Sequence, residues 1–348
     1  MAERVLLGMS GGLDSSFCAH ILKQRGYEVT GAVLRMFDSF NPLPARAAAL
    51  REDIPLIELD CRADFEKYVI DDFISQYSCG LTPNPCVVCN RKVKIAALCR
   101  AAKENGCGYI ATGHYARIKT DVDNPYIAAA ADRKKDQSYM LWRLSAEQRS
   151  MLITPLADLL KKDIRQTAGS LGIPSANAAE SQDVCFLPEG NYLSFLEERA
   201  GKQKPGNFID TDGNILGRHK GIAAYTAGQT RGLGIALGQK YSVVSINAAD
   251  NTVTITPAAF SAPLYREQVK ITNIVFGYTR PDNIASLPLF AKIRYAADPV
   301  PAELEPADGG YTVRFASPVR APAPGQSCVL YTHDRDGDMC VALGGVMV

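Results

Sequence analysis

The sequence predicts an α/β fold: a doubly wound parallel sheet in the first part of the chain, then a small mixed segment and a C-terminal antiparallel β-barrel or sandwich. Three observations predict it. The chain opens with "RVLLGMSGGLDSSFCAHILKQRGYEVTGAVLRM", a strand–loop–helix–strand run, which is the βαβ unit of a parallel sheet. Buried-strand runs then alternate with helical patterns to about residue 200. Beyond Gly201 the texture turns Gly-, Pro- and Asp-rich, and short alternating strands dominate.

Taken in order, Arg4 to Leu7 reads as the first strand, Ser15 to Arg25 as the first helix and Glu28 to Leu34 as the second strand, with Gly26 at the turn. "IPLIELD" (54–60) and "GYIATGH" (108–114) read as further buried strands. Helical periodicity in "ADFEKYVIDDFISQY" and "RKVKIAALCRAAKENG" covers them, and 145–149, 161–171 and 192–200 continue the pattern. "DTDGN" (210–214) is a hairpin signal. "YSVVSI", "NTVTITP", "LFAKIRYA", "YTVRFA" and "SCVLYT" follow as short strands. The expected units are 1–200, 201–262 and 263–348.

"GMSGGLDSS" (8–16) lies between strand and helix. Small residues let backbone N–H groups approach phosphate oxygens, and a helix N-terminus adds partial positive charge. The loop lacks the Lys-Ser/Thr ending of a Walker A motif and the GxGxxG of a dinucleotide site. SGGxDS before a helix instead resembles the pyrophosphate loop of the N-type ATP pyrophosphatases, whose catalytic domain is Rossmann-like. That likeness implies a cradle of Gly8, Met9, Ser10, Gly11, Gly12, Leu13, Asp14, Ser15 and Ser16, with Asp14 serving magnesium and ATP cleaved between the α and β phosphates. Leu34 ends the second strand, where a main-chain group reads adenine. "ATGHYAR" (111–117) follows a strand at the carboxyl edge, where open α/β sheets bind ligands. Gly113 there allows close backbone approach, and His114 is polar lining.

Ten cysteines are many for a chain whose start, Met1-Ala2-Glu3-Arg4, leads straight into a strand. No signal peptide is read there, so metal or catalytic roles outweigh a disulfide framework. The pair in "TPNPCVVCNRKVK" (82–94) precedes a basic run. From Cys89 to Lys119 there are seven Lys/Arg (91, 92, 94, 100, 103, 117, 119) against Glu104 alone. Such a field lowers a thiol pKa and attracts RNA phosphate. Residues 214–249 hold Arg218, Lys220, Arg231 and Lys240 and no acid, which suggests a second RNA-facing strip. Cys18, Cys61, Cys79, Cys99, Cys107, Cys328 and Cys340 read as small buried apolar residues, and Trp142 reads as core.

Six stretches, three of them new, complete a pattern. SGGLDS, TPNPxxxCN, ATGHYAR, KKDQSYML, DVCFLPEG and GQTRGLGI occur in this order, with a terminal PGQSCVLY and CVALGG. Together they resemble the tRNA-specific 2-thiouridylases from end to end. The resemblance implies sulfuration of C2 of a wobble uridine after ATP-dependent adenylation, with ATP and Mg²⁺ as cofactors. It makes Cys89 the catalytic nucleophile and Cys185 the persulfide acceptor. Asn84 and Pro85 match the loop meeting the target base, Lys135, Asp136 and Gln137 a tRNA-contacting KDQ, and Arg294 and Tyr295 a tRNA contact on the barrel. The implied partners are the tRNA anticodon arm and a sulfur-donor protein or sulfide source, with the enzyme a monomer or weak dimer.

This chain departs from the family pattern at Cys86, where relatives keep aspartate. Several readings of the cysteines follow. A persulfide relay uses Cys185 and Cys89. A [4Fe–4S] cluster on Cys86, Cys89 and Cys185 leaves one iron open for the transferred sulfur. Structural zinc lacks a fourth ligand, and Cys86 as mere packing remains. The segment between Pro42 and Asp53 has room for one brief helix, where relatives carry a longer acidic insertion.

With 47% hydrophobic and 22% charged residues and a net charge of +1 over 348 residues, the composition is that of a globular protein without a global field toward nucleic acid or membrane. No apolar run reaches membrane-spanning length, and the expected compartment is the cytoplasm. Two other functions fit parts of the pattern: another adenylating ligase or amidotransferase of the same ATPase class, and a non-catalytic iron–sulfur or zinc RNA-binding module. The first wants a glutaminase segment, which is not recognisable here. The second leaves the SGGLDS loop unexplained.

Overall fold

The computed structural model describes residues 2–121, 124–173, 184–187, 192–278, 284 and 286–348. Apolar β-branched runs build a parallel sheet around β1 (Arg4–Gly8), which is flanked by α1 (Leu13–Gln24) and β2 (Glu28–Arg35) in sequence. One brief helix, α2 (Leu43–Arg51), then leads to β3 (Leu56–Asp60), as the short segment requires. Residues 62–78 form one continuous helical rod: α3 (Arg62–Phe65), a widened turn, and α4 (Asp71–Ser78). A second rod carries α5 (Pro85–Cys89), another widened turn, and α6 (Ile95–Glu104), and delivers the chain to β4 (Tyr109–Ala111).

Next comes a hairpin that the sequence reading missed, β5 (Ala116–Asp121) and β6 (Asn124–Ala129). After it come α7 (Ser138–Leu141), α8 (Ala146–Met151), β7 (Leu152–Ile153), α9 (Lys161–Ser170) and α10 (Tyr192–Ala200). The sheet order is β3-β2-β1-β4-β7, every pair parallel. Its central strands β1, β2 and β4 are buried on both faces, as crossover helices require: Val5, Leu6, Leu7 and Ile110 have no exposed surface.

The middle of the chain pairs β8 (Gly206–Ile209) with β9 (Ile215–His219), and β10 (Tyr241–Asn247) with β11 (Thr252–Pro257). They form one small sheet of order β10-β11-β8-β9 over a core of Phe208, Tyr225, Val243, Val253 and Ile255. The last segment contains β12 (Tyr265–Phe276), β13 (Leu289–Lys292), β14 (Val300–Ala307), β15 (Gly310–Arg320), β16 (Ser327–His333) and β17 (Met339–Met347). Among the described residues they run β12-β15-β14-β13-β16-β17, and β17 pairs back to β12, closing a six-stranded antiparallel barrel. Closure removes the free edges that an open sheet would expose, so of barrel and sandwich the barrel is correct.

The hairpin β5–β6 does not join the parallel sheet. It pairs onto β17 at Cys340 and Ala128, so the catalytic unit extends the barrel sheet with its own strands. Trp142 seals this junction. It is 1% exposed, donates its indole N–H to Ser327 Oγ (3.0 Å), and lies so close over Gly344 that a Cβ there would meet ring atoms at 2.3 Å. Trp142 is core, as expected. So are Cys18, Cys61, Cys99, Cys107, Cys328 and Cys340. Cys79 is exposed instead, at the C-cap of α4, just past the last helical residue. Among the described residues, no helix is long and apolar enough to cross a membrane.

Candidate active site

The phosphate loop leaves β1 and enters α1 at Gly12, whose extended backbone (φ −75°, ψ 167°) forms the N-cap. Gly11 takes φ +79°, and a Cβ there would lie 2.3 Å from the Pro44 carbonyl carbon, so only glycine fits beneath α2. Ser15 and Ser16 donate to the Gly12 carbonyl (3.1 and 3.0 Å), and the Ser10 N–H donates to Ser15 Oγ (3.2 Å). Met9 is buried and ties its N–H to the Ala32 carbonyl, while Leu13 and Leu34 are buried beside the loop. Thus Gly8 to Ser15 make one braced cradle. Gly113, expected to let a nucleotide approach, packs against the loop itself: a Cβ there would meet Asp14 Cβ at 3.0 Å and Ser15 N at 3.3 Å.

Two residues that sequence reasoning passed over meet Asp14. Lys161 Nζ donates to Asp14 Oδ1 at 2.5 Å, and the Tyr115 hydroxyl donates to the same oxygen at 2.7 Å. Tyr115 stood inside ATGHYAR without being singled out. Lys161 had no signal, since one polar residue at a helix start looks like any other. Asp14 keeps a third of its side chain exposed at the mouth of the cradle. It is a hard carboxylate donor of the kind that a phosphate-bound magnesium ion takes, so the residues fit that ion.

The cysteines lie at the same carboxyl edge. Met36, the residue after β2, touches Cys89 (Sγ–Sδ 3.9 Å). Cys89 ends α5, and in the turn that follows the Ile95 N–H bonds five residues back to the Asn90 carbonyl. In a regular α-helix, five residues would carry Lys94 about 140° around from Cys89; the widened turn brings it back toward the same face, a device common at functional sites. Burial pushes the Cys89 thiol up to about 12, and Lys94, through its charge and its backbone N–H, is the main opposing influence. Cys185 and Cys86 act on Cys89 as well, so three thiols share one neighbourhood with Lys94. Burial alone would lower the Lys94 pKa, but the facing thiols hold it above its ordinary value. His114 bonds through Nδ1 to Thr112 Oγ1 (2.8 Å). Burial, then the Lys94 charge, takes its pKa down to about 3, so it lines the site as a neutral ring.

Cys86 and Cys185 are exposed, and all ten cysteines are free thiols. Cys185 opens on a cavity of about 400 Å³ lined by Met36, Phe37, Phe65, Phe186 and Arg199. Of "ESQDVCFLPEG", only 184–187 lies within the described residues. Among the described residues, no three His, Cys, Asp or Glu side chains are arranged to hold a metal ion. The cluster expectation on Cys86, Cys89 and Cys185 therefore has no assembled ligand set. A thiol-alkylating reagent at neutral pH should label Cys79, Cys86 and Cys185 well before Cys89. Labelling of Cys89 should then rise about tenfold per pH unit, since thiolate is the reactive form below a raised pKa; peptide mass spectrometry reads both.

The loop from Thr82 to Asn84 is held from the barrel. Gln326 Nε2 donates to the Pro83 carbonyl (2.8 Å) and the Thr82 carbonyl (3.2 Å), and the Thr82 N–H donates to the Pro324 carbonyl (2.8 Å). Asn84 leads into α5 and Pro85 is its first residue, where a missing N–H costs nothing. Asn90, 3% exposed, anchors this rod by donating to the Met140 carbonyl (3.1 Å).

Several expected RNA contacts are otherwise engaged. Asp136 accepts from the Ala130 and Ser138 N–H groups and the Ser138 hydroxyl. Gln137 brackets Tyr115, accepting from its N–H (3.0 Å) and donating its own N–H to its carbonyl (2.7 Å). Gln137 thereby holds Tyr115, which lies just before β5, and Asp136 braces the turn between Ala130 and Ser138; Lys135 beside them is half-buried. Arg294 donates to the Ala321 carbonyl (3.2 Å), whereas Tyr295 stays exposed near Tyr139. The basic run is also less open than its sequence implies. Arg117 and Lys119 are paired with Asp158 and with the barrel's Asp334, Asp336 and Asp338, and Lys103 with Glu147. Acids remote in sequence supply the opposing charge. Arg91 and Lys92 line an open groove, and Arg218, Lys220, Arg231 and Lys240 are exposed.

Three family profiles match in tandem: "tRNA methyl transferase HUP domain" over residues 3–189, "tRNA methyl transferase PRC-barrel domain" over 193–257, and "Aminomethyltransferase beta-barrel domain" over 266–348. Among curated relatives, the tRNA-specific 2-thiouridylase MnmA of Carboxydothermus hydrogenoformans is 39% identical over 96% of this chain and 95% of its own length. That of Roseiflexus sp. is 37% identical over 98% of each. That of Dehalococcoides mccartyi is 39% identical over 100% of this chain and 97% of its own. With likeness along its whole length, and with the SGGLDS loop and three neighbouring thiols at one sheet edge, the chain belongs to the tRNA-specific 2-thiouridylase family.

Proposed function

We propose that this chain uses ATP to replace the C2 oxygen of a tRNA wobble uridine with sulfur. The observation that carries the reading is that Cys89 and Cys185, remote in sequence, share one charged neighbourhood at the sheet edge that holds the phosphate loop. The C2 oxygen is a poor leaving group. It attacks the α-phosphorus, the bond to the β-phosphate oxygen breaks, and pyrophosphate leaves. A persulfide on Cys185, loaded by a sulfur donor, attacks C2 with its outer sulfur and expels AMP. An S–S link then joins Cys185 to the base, and a second thiolate must break it. Cys89 attacks the Cys185 sulfur, giving 2-thiouridine and a Cys89–Cys185 disulfide that an external thiol reduces. The anticodon arm is held by shape and backbone charge, with the target base splayed out toward Asn84 and Pro85. The working compartment is the cytoplasm, and magnesium held by Asp14 and phosphate would supply charge neutralisation to the nucleotide.

The test is direct: purified protein with ATP, magnesium, unmodified tRNA and a persulfide donor should yield 2-thiouridine by nucleoside mass spectrometry. Failure to release pyrophosphate on adding tRNA would overturn the reading. Because no step is routed through a cluster, Cys86→Asp is expected to keep at least half of the activity. A loss beyond roughly tenfold, with bound iron after anaerobic purification of the parent, would restore the cluster in place of the relay.

A further inference from the structure

Lys161 is placed where stability alone would not put it. It is 8% exposed, and a buried ammonium costs several kcal/mol unless it is well paired. It also opens α9, against the helix dipole, which favours acids there. Asp132 offsets part of this by accepting the Lys161 N–H at 3.0 Å. The side chain then runs to Asp14, 147 positions away in sequence, with Nζ 5.4 Å from the centroid of the Tyr115 ring. Residues that break local rules at a buried site usually serve function.

The loop poses an electrostatic problem that this arrangement answers. A cradle for pyrophosphate holds the carboxylate of Asp14 among its own residues, and two negative groups there repel each other. Lys161 and the Tyr115 hydroxyl both bond Oδ1, fixing the carboxylate and cancelling its charge. Gln137 holds Tyr115 at both its N–H and its carbonyl, and the Gly113 backbone lies so close to Asp14 that a Cβ there would meet the Asp14 Cβ at 3.0 Å. We infer that Lys161, with Tyr115, is a positioning residue for the departure of pyrophosphate: it holds Asp14 in place and keeps the cradle receptive to a polyanion. When the bond between the α-phosphorus and the bridging oxygen breaks, the electron pair stays with pyrophosphate, and the Lys161 charge lies one carboxylate away from it. This rests on the adenylation reading above.

The experiment measures binding of sodium pyrophosphate to the free protein in EDTA by calorimetry, so that no divalent ion masks the carboxylate. Lys161→Met should weaken binding by roughly tenfold or more, because Asp14 is then an uncompensated charge facing the anion. The double variant Lys161→Met/Asp14→Asn should regain much of that loss, which a purely structural lysine would not allow. Folded Lys161→Met binding within twofold of the parent overturns the inference, as does a double variant no better than the single one. Should Lys161→Met fail to fold, Tyr115→Phe reads the same clamp: about threefold weaker binding supports it and unchanged binding overturns it. With tRNA and magnesium, ATP–pyrophosphate exchange by the parent separates the two readings. A parent without tRNA-dependent exchange sinks the adenylation reading, whereas an exchanging parent matched by Lys161→Met sinks only this one.

Discussion

Replacing Cys89 by serine is expected to cut 2-thiouridine formation by at least about a thousandfold, on the scale of losing a catalytic nucleophile, while tRNA-dependent pyrophosphate release stays within a few fold of the parent. The split follows from geometry. Cys89 sits on α5 against Met36, and the loop we propose for ATP is built from residues 8–16, braced by their own hydrogen bonds. A serine hydroxyl cannot break the S–S link at neutral pH. The base should therefore accumulate joined to Cys185 when a persulfide is supplied, as an RNA–protein adduct released by added thiol. Thiolation above a tenth of the parental rate would remove Cys89 from the mechanism.

The second large effect concerns the seam between catalytic unit and barrel. Lys119, on β5, donates to Asp334 (2.6 Å), Asp336 (2.7 Å) and Asp338 (3.1 Å) in the turn joining β16 to β17, and the Tyr126 hydroxyl also donates to Asp334 (2.9 Å). Asp334 has no exposed side-chain surface. Lys119→Met would leave that carboxylate buried without its cation, so about 3 kcal/mol or more of stability should be lost, read as a lower urea midpoint for barrel unfolding. Burial by itself would raise the Asp334 pKa, but Lys119 and Tyr126 outweigh it and hold the carboxyl below the ordinary range. A depressed carboxyl pKa stabilises the fold at pH above its unfolded value, and that contribution vanishes as acid carries the pH through the folded one. The difference between parent and Lys119→Met should accordingly be full at pH 7 and shrink on acidification below the ordinary carboxyl range. A difference independent of pH would mean that Lys119 contributes packing rather than charge.

Local signals explain what could be read in advance. The SGGLDS loop announces itself because glycine, serine and aspartate at that spacing serve a backbone that must turn sharply and approach an anion. Gly11 meets that need with positive φ beneath Pro44. The sheet strands were legible as short apolar runs between turn signals, and Trp142 as core from its apolar neighbours. The hairpin β5–β6 escaped because "ARIKTD" carries lysine and arginine on a face that reads as solvent. The barrel's aspartates turn that face into an interface.

The sequence by itself determined the groups available to this protein: a glycine- and serine-rich loop that suits an anion, thiols that can act as nucleophiles, and basic residues that suit RNA. Each is a property of residue type and near-neighbour spacing, which a chain states locally. Only the tertiary structure decided which of those groups meet. Lys161 reaches Asp14, Lys94 is turned toward Cys89, Gln326 braces the loop before Asn84, and Asp334 claims Lys119. These pairings join residues on different elements or, for Lys94, depend on a single widened helical turn. Their energies depend on burial and distance, and neither quantity exists until the sheet, helices and barrel have packed.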